Sequence, residues 1–355
     1  MKYFLLFLAA MLSLPLLAHS IDEHHLPLGD GKISTSPQRG YVFACQTQFH
    51  GHGADVAGNW IHGNSWDATE KIAVQGNVLW PDAQFTVTEA ATARRVVGNG
   101  LPVQHSTGIF PILHMDPAYQ IDRNPNTITA QQISLSLPLH PELLATPSCV
   151  GMGMIGISTD GVAIFNALDA EGRDAVAHEV QDHCDGHPQQ AGQYHYHGPS
   201  PCIQGVDQRN VLVGYALDGF GIYSRFDEVG KELSNEDLDE CHGRTSPVLW
   251  DGKRVPIYHY VMTREYPYTV GCFRGAVDRS FLARPEPQGE HQRSGIPLSR
   301  NHQPPPEAIN ACQAASDNAH CEFISPRGDP VSGACRRREA VLACVPDQPP
   351  RSLRD

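Results

Sequence analysis

Basic residues are scarce in this chain: 26 Lys and Arg face 39 Asp and Glu, giving a net charge of −13 with His neutral. No basic run offsets that field, which argues against nucleic acid as a partner. Beyond the N-terminus no run approaches ~20 apolar residues, so no transmembrane segment is expected after signal cleavage. Cys-x-x-Cys pairs are missing, which argues against a thiolate zinc site or a redox dithiol. The chain also lacks a G-x-S-x-G elbow, an H-E-x-x-H helix and a phosphate-binding loop. Ala177-His178-Glu179-Val180-Gln181-Asp182-His183 fails as a metalloprotease helix, because its second histidine comes five residues after the first instead of four. No long segment has a 3.6-residue period beyond a weak one around Asp169 to Val180, so the fold class is read as mainly β.

What is present is unusual in two residue types, with 19 His and 10 Cys. Lys2, the apolar stretch Tyr3 to Leu17 and the small residues of Ala18-His19-Ser20 read as a signal peptide over residues 1–20. A secreted or periplasmic location follows, and an even cysteine count there reads as disulfides. Composition shifts near Arg284: residues 285–311 form a proline-rich linker, and residues 312–355 a small Cys-rich tail. A tail this short needs staples, and the spacing predicts nested bridges Cys312–Cys344 and Cys321–Cys335.

The middle of the chain repeats itself. Gly156-Ile157-Ser158-Thr159-Asp160-Gly161-Val162-Ala163-Ile164-Phe165 aligns without a gap on Gly214-Tyr215-Ala216-Leu217-Asp218-Gly219-Phe220-Gly221-Ile222-Tyr223. Asp-Gly between apolar runs signals a hairpin, because Gly supplies the positive φ of a tight turn. Downstream, Asp182-x-Cys184-x-Gly186 matches Asp239-x-Cys241-x-Gly243, and Tyr194-His195-Tyr196-His197 matches Tyr258-His259-Tyr260-Val261. Residues 156–202 and 214–272 therefore read as two copies of one unit, closed by bridges Cys184–Cys202 and Cys241–Cys272. Cys45 and Cys149 remain to pair with each other. A sandwich-like domain with long loops and an internal pseudo-twofold duplication is expected.

Side chains alternate along a strand, so His195 and His197 share one face and Tyr194 and Tyr196 take the other. His259 occupies the His195 position of the second copy. If the two Tyr-His-Tyr strands lie close together, these three imidazoles converge, with His183 or His187 as a further ligand. The candidate metal set is thus His183, His187, His195, His197 and His259, suited to a divalent transition metal, Zn or Cu. Asp182 and Asp239 either orient an imidazole or cap a turn, while Asp160 and Asp218 read as turn residues. Outside the repeats, His105, His114, Asp116 and His50-Gly51-His52 fit no ligand template.

The blocks around Tyr194-His195-Tyr196-His197, with Asp182-x-Cys184-x-Gly186-His187 before them and Gly214-Tyr215-Ala216-x-Asp218-Gly219 and Leu238-Asp239-Glu240-Cys241 after, resemble the YHYH domain family of exported bacterial proteins. The resemblance runs from about Gly151 to Gly275. It implies a secreted domain, here residues 21–284, built around the YHYH strand, and it implies no activity.

Before the repeats, residues 72–80 and 85–88 are rich in β-formers, and Ile133 to Leu137 alternates apolar with Ser. Three functions stay open. The leading one is metal binding through the His cluster. A metal-dependent hydrolase, with Tyr194 or Tyr196 as proton donor, is the second, so enzyme status is uncertain. The third is a cell-surface or carbohydrate interaction protein using Trp60, Trp66 and Trp80 as exposed platforms.

Overall fold

Two apolar runs folded back at Asp-Gly turns form the centre of the domain. In the computed structural model, which describes residues 21–282, 306–313, 315–324, 330–338 and 341–346, each run makes its expected hairpin. Residues 1–20 and 285–305, covering the signal peptide and most of the linker, lie outside the described residues. After five two-residue strands between Leu26 and Trp66 come β1 (Phe85–Glu89), β2 (Ala93–Gly98) and β3 (Ile133–Pro138), an antiparallel sheet in that order. The hairpin strands are β4 (Met154–Ser158) with β5 (Ala163–Phe165), and β8 (Leu212–Ala216) with β9 (Gly221–Tyr223). Between and after them run β6 (Gly186–Pro188), β7 (Tyr194–Tyr196), β10 (Gly243–Trp250) and β11 (Lys253–Val261).

These eight strands form one sheet in the order β6-β7-β5-β4-β8-β9-β11-β10. Read outward from the middle, each half has the same strands in the same order. At the centre β4 and β8 pair antiparallel, Ile157 opposite Tyr215 with Gly156 opposite Ala216 and Ser158 opposite Gly214. The outer pairings agree too: β5 with β7 and β9 with β11 are both parallel, Ile164 opposite Tyr196 and Ile222 opposite Tyr260. Gly161 and Gly219, at φ of 88° and 90°, make the two equivalent turns.

One expectation changes here. The twofold relation passes between β4 and β8, so the Tyr-His-Tyr strands β7 and β11 are not neighbours. Five strand spacings separate them, roughly 24 Å. His259 therefore does not converge with His195.

The three-stranded sheet shares one hydrophobic core with the large one, Phe85 lying against Gly161 and Pro138 against Gly219 at the two hairpin turns. Ile133, Leu135 and Leu137 point into the shared core while Ser134 and Ser136 face out, as the alternation predicts. Arg94 of β2, 3% exposed, sets its guanidinium 4.7 Å from the Tyr215 ring and 5.0 Å from the Trp250 ring, and pairs with Asp251 at 2.8 Å. A buried cation with both an ion partner and aromatic faces is the arrangement that offsets desolvation. Residues 72–80 give only isolated bridges at Val74 and Val78. The weak helical period shrinks to one turn, α1 (Ala175–His178), capped by the Asp174 carboxylate. Trp60 and Trp66 are buried, and Trp80 is partly buried with its Nε1 donating to Thr107, so none of the three is an exposed platform.

Bridges Cys184–Cys202 and Cys241–Cys272 form as the repeat predicts, and Cys45–Cys149, the pair left over, forms as well. The chain divides into compact units at residues 286 and 287. The second contains α2 (Pro306–Asn310), β12 (His320–Ile324), β13 (Pro330–Arg338) and β14 (Val341–Pro346). Its bridges are Cys312–Cys335 and Cys321–Cys344, not the nested pair expected. Cys312 follows a helix that packs beside the sheet and meets the middle strand, leaving the outer strands' Cys321 and Cys344 to join at 5.8 Å between Cα atoms. Pro306 opens that helix in its first turn, where an N–H has no intrahelical partner to lose, so the end of the expected linker is helical.

Candidate metal centre

The register of β6 against β7 builds the site. His187 lies directly opposite His195, so the two side chains share a face, and His197 follows two residues on, on the same face. One ring nitrogen from each lies within 4.8 Å of those of the other two. All three residues are buried, at 3%, 2% and 4% exposure, which puts the group out of bulk water. Glu179, the residue that ends α1, brings its Oε2 to 3.4 Å from Nε2 of both His187 and His197.

Hydrogen bonding fixes which nitrogens are free. The Nδ1–H of His195 donates to the Gln193 carbonyl at 3.1 Å, and that of His197 to the Asn166 carbonyl at 2.5 Å. With the proton on Nδ1, Nε2 carries the lone pair. The two Nε2 atoms nevertheless face each other at 3.0 Å. A hydrogen bond between them would require one ring either to take a second proton or to move its own and abandon its carbonyl. Neither nitrogen of His187 has a hydrogen-bond partner, nor does Oε2 of Glu179.

Burial sets the charge states. It pushes His187 and His195 well below the ordinary imidazole value, with neighbouring imidazoles adding to the shift, and it brings His197 down to about 4. Burial, reinforced by Asp122 and Asp169, raises the Glu179 carboxyl well above its ordinary value. Burial therefore disfavours charge on all four groups, the rings by lowering their values and the carboxyl by raising its own.

The opposite face of β7 does different work. Tyr194 donates to Asp182 at 2.9 Å, and Tyr196 to Asp160 at 2.8 Å, with His105 Nε2 2.6 Å from the same hydroxyl. In the other half Tyr258 donates to Asp239 at 3.1 Å and Tyr260 to Asp218 at 2.6 Å. Asp182 also accepts from the backbone of Gly108, Cys184 and Gly186, so it caps a turn and touches no imidazole. Both tyrosines of β7 point away from the His face and hold their protons, with burial raising each hydroxyl well above its ordinary range. They do not serve the His group as proton donors.

Of the five expected ligands the structure brings together His187, His195 and His197. His183 is exposed, beside Asp182 and Cys184 and outside the group of three. His259 keeps the backbone bond of its counterpart, Nδ1 to the Ile257 carbonyl at 3.0 Å. Its partners are different, however: Arg244 stands opposite it where His187 stands opposite His195, and Val261 takes the place of His197. Glu179 was not among the expected ligands. Only the failed metalloprotease fragment contained it, and no ligand spacing marks it. His114 stacks on Tyr119 and Asp116 caps a turn, both away from the group.

A cavity of about 330 Å³ abuts the backbone that carries these residues. Val176 and Gln181 to either side of Glu179, Asp185 before His187, Gly198 after His197, and Trp66 and Tyr268 contribute to its wall.

Fold and site together define a disulfide-tied, mainly β domain with a buried group of three imidazoles and a carboxylate on one face of a Tyr-His-Tyr strand. Residues 134–231 match the family model described as YHYH protein. That match begins in β3 and extends past β9, so it takes in the whole His group and leaves β10 and β11 outside. No curated protein and no solved structure matches the chain. Among the described residues no helix is long and apolar enough to cross a membrane.

Proposed function

We propose that this is an exported metal-binding protein whose centre is His187, His195, His197 and Glu179, holding a transition-metal ion, zinc or copper. One observation carries the reading. A tetrahedral ion with ~2.0–2.1 Å bonds spaces its ligand atoms roughly 3.4 Å apart. The group presents Nε2–Nε2 at 3.0 Å and two Nε2–Oε2 edges at 3.4 Å, with no hydrogen-bond partner for Oε2 of Glu179 or either nitrogen of His187. The Nε2 lone pairs of His195 and His197, facing each other in a buried site, repel unless a cation sits beside them.

The carbonyls of Gln193 and Asn166 act as the outer partners that fix ring orientation. Export is supported by five disulfides, which favour an oxidising compartment. The matching strand order and register of the two halves support an internal duplication in which one copy keeps the ligands. The cavity beside the centre favours a second reading, metal-assisted hydrolysis, since a substrate needs such a space.

Elemental analysis of protein purified from its native compartment tests the centre. About one ion per chain is expected, falling by more than about tenfold in His195→Ala/His197→Ala, as loss of two ligands requires. Equal metal content in that variant sinks the reading. Turnover of ester, phosphoester or peptide substrates, abolished by a chelator, would establish the hydrolase.

A further inference from the structure

A strap crosses the tyrosine face of β7 in the first half only. In the long connection from β2 to β3, the Val103 N–H donates to the Asp160 carbonyl at 3.1 Å and the Gly108 N–H to the Asp182 carboxylate at 2.8 Å. Between these anchors His105 turns its ring inward. Its side chain is 9% exposed, and the Asp160 and Tyr196 that it meets are fully buried.

Counting hydrogens shows which form of the ring fits. His105 Nε2 lies 2.6 Å from the Tyr196 oxygen and 3.2 Å from Asp160 Oδ2, while Tyr196 donates its one proton to the same Oδ2 at 2.8 Å. The other carboxylate oxygen, Oδ1, accepts from the Ser158 hydroxyl and the Val162 N–H. On the far side of the ring Nδ1 lies 2.8 Å from the Ser106 carbonyl. Filling the Nε2 corner takes a proton on Nε2, and filling the Ser106 contact takes one on Nδ1. A neutral ring carries only one of the two, so a buried lone pair is left facing an oxygen. The imidazolium fills every contact.

The second half supplies the comparison. Tyr260 donates to Asp218 at 2.6 Å, and the N–H groups of Arg274 and Gly275 donate to the Tyr260 oxygen and to Asp218 Oδ2, each at 2.8 Å. Peptide N–H groups stand there in the place of His105 Nε2–H, and they do not titrate.

We propose that residues 103–108 are a pH-sensitive strap, locked on the tyrosine face by protonated His105 and loosened when the ring loses its proton. The titratable groups facing the ring are Asp160, Asp182, Tyr194 and Tyr196. Burial pulls the ring's value down, but hydrogen bonds to Asp160 and the Ser106 carbonyl, with the charges of Asp160 and Asp182, outweigh it and hold the value above 6.5. Between 6.5 and that raised value the native chain keeps a proton that the unfolded chain has lost. The lock is therefore complete below 6.5 and fades as pH rises through the raised value.

The test is hydrogen exchange of the full oxidised chain, followed by NMR from about pH 6 to 9, a span that brackets the titration of a histidine. The Val103 and Thr107 amides report the strap, since they donate to the backbone carbonyls of Asp160 and Val78, which do not titrate. Corrected for the intrinsic rise of exchange with pH, their protection should fall by up to about tenfold per pH unit above the His105 value. The Arg274 and Gly275 amides of the second half should keep theirs. His105→Gln offers a side-chain N–H with no titrating proton, and its strap protection should stay level across the range. The ring resonances of His105 in the wild type should titrate above 6.5. Wild-type strap protection as level as that of Arg274, or a ring that titrates at 6.5 or below, overturns the inference. Both are read on the wild type, so the result stands even if the variant does not fold.

Discussion

Replacing Glu179 by Gln should move stability and metal affinity in opposite directions. The carboxyl is buried without a partner for Oε2, and burial raises it well above its ordinary value of 4.5. Between 4.5 and that raised value the metal-free native chain holds a proton that the unfolded chain has lost. Stability of the metal-free protein therefore falls as pH rises through this window, by at most about 1.4 kcal/mol per pH unit from this group. Gln keeps the shape and carries no titrating proton, so the fall attributable to Glu179 vanishes in the variant. Other titrating groups cancel in the difference between wild type and variant, among them the imidazoles, whose lowered values act with the opposite sign below 6.5. The metal-bound protein responds the other way. Gln supplies no charge to neutralise the ion, and affinity should drop about 10- to 100-fold, or ~1.4–2.7 kcal/mol. The assay is urea unfolding from pH 5 to 8 with a chelator, paired with competitive metal titration at fixed pH. A variant that loses several kcal/mol without metal yet binds metal as tightly as wild type would show that Glu179 is a packing residue and refute the centre's composition.

Three further outcomes are expected. Tyr196→Phe removes the hydroxyl shared by Asp160 and His105, and should cost about 1–3 kcal/mol by denaturant melts with metal content unchanged; metal loss at unchanged stability would mean that the Tyr face does serve the ion. Arg244→His/Val261→His supplies in the second half the two imidazoles that His259 lacks, and elemental analysis should find a second, weaker equivalent of metal; a stoichiometry that stays put would count against the equivalence of the two halves. Proteolytic peptide mapping of the oxidised tail should yield Cys312–Cys335 and Cys321–Cys344 linkages, and recovery of a Cys312–Cys344 peptide would contradict the sheet described for it.

The elements legible in the sequence are those set by local chemistry. Asp160-Gly161 and Asp218-Gly219 specify turns by themselves, and Ile133 to Leu137 declares its buried face by alternation. Bridges Cys184–Cys202 and Cys241–Cys272 follow from a motif repeated in order. Which edges of the two copies would meet is a different kind of fact. Side-chain patterning fixes the faces of a strand, but backbone groups on either edge pair equally well with any neighbour. The expectation that β7 and β11 approach each other failed for that reason, and His259 dropped out with it. Glu179 was hidden because it comes from a loop after a single helical turn, brought in by tertiary packing and not by spacing. His187, by contrast, was within reach, since Gly186-His187-Pro188 stands opposite Tyr194-His195-Tyr196 once the Cys184–Cys202 loop folds back on itself. The tail bridges were unreadable from a symmetric spacing that suits nested and staggered pairings alike.

The bridge between Cys184 and Cys202 also reaches into the denatured ensemble. His187, His195 and His197 all lie inside the loop it closes, across a sequence separation of 18. A loop of this size remains a small ring after the sheet has melted, so the three rings stay at high effective concentration in the oxidised unfolded chain. A metal ion then binds both states, and its effect on the melting temperature understates its affinity for the native one. Reduction of that bridge should widen the gap in melting temperature between metal-loaded and metal-free protein, even as it lowers both.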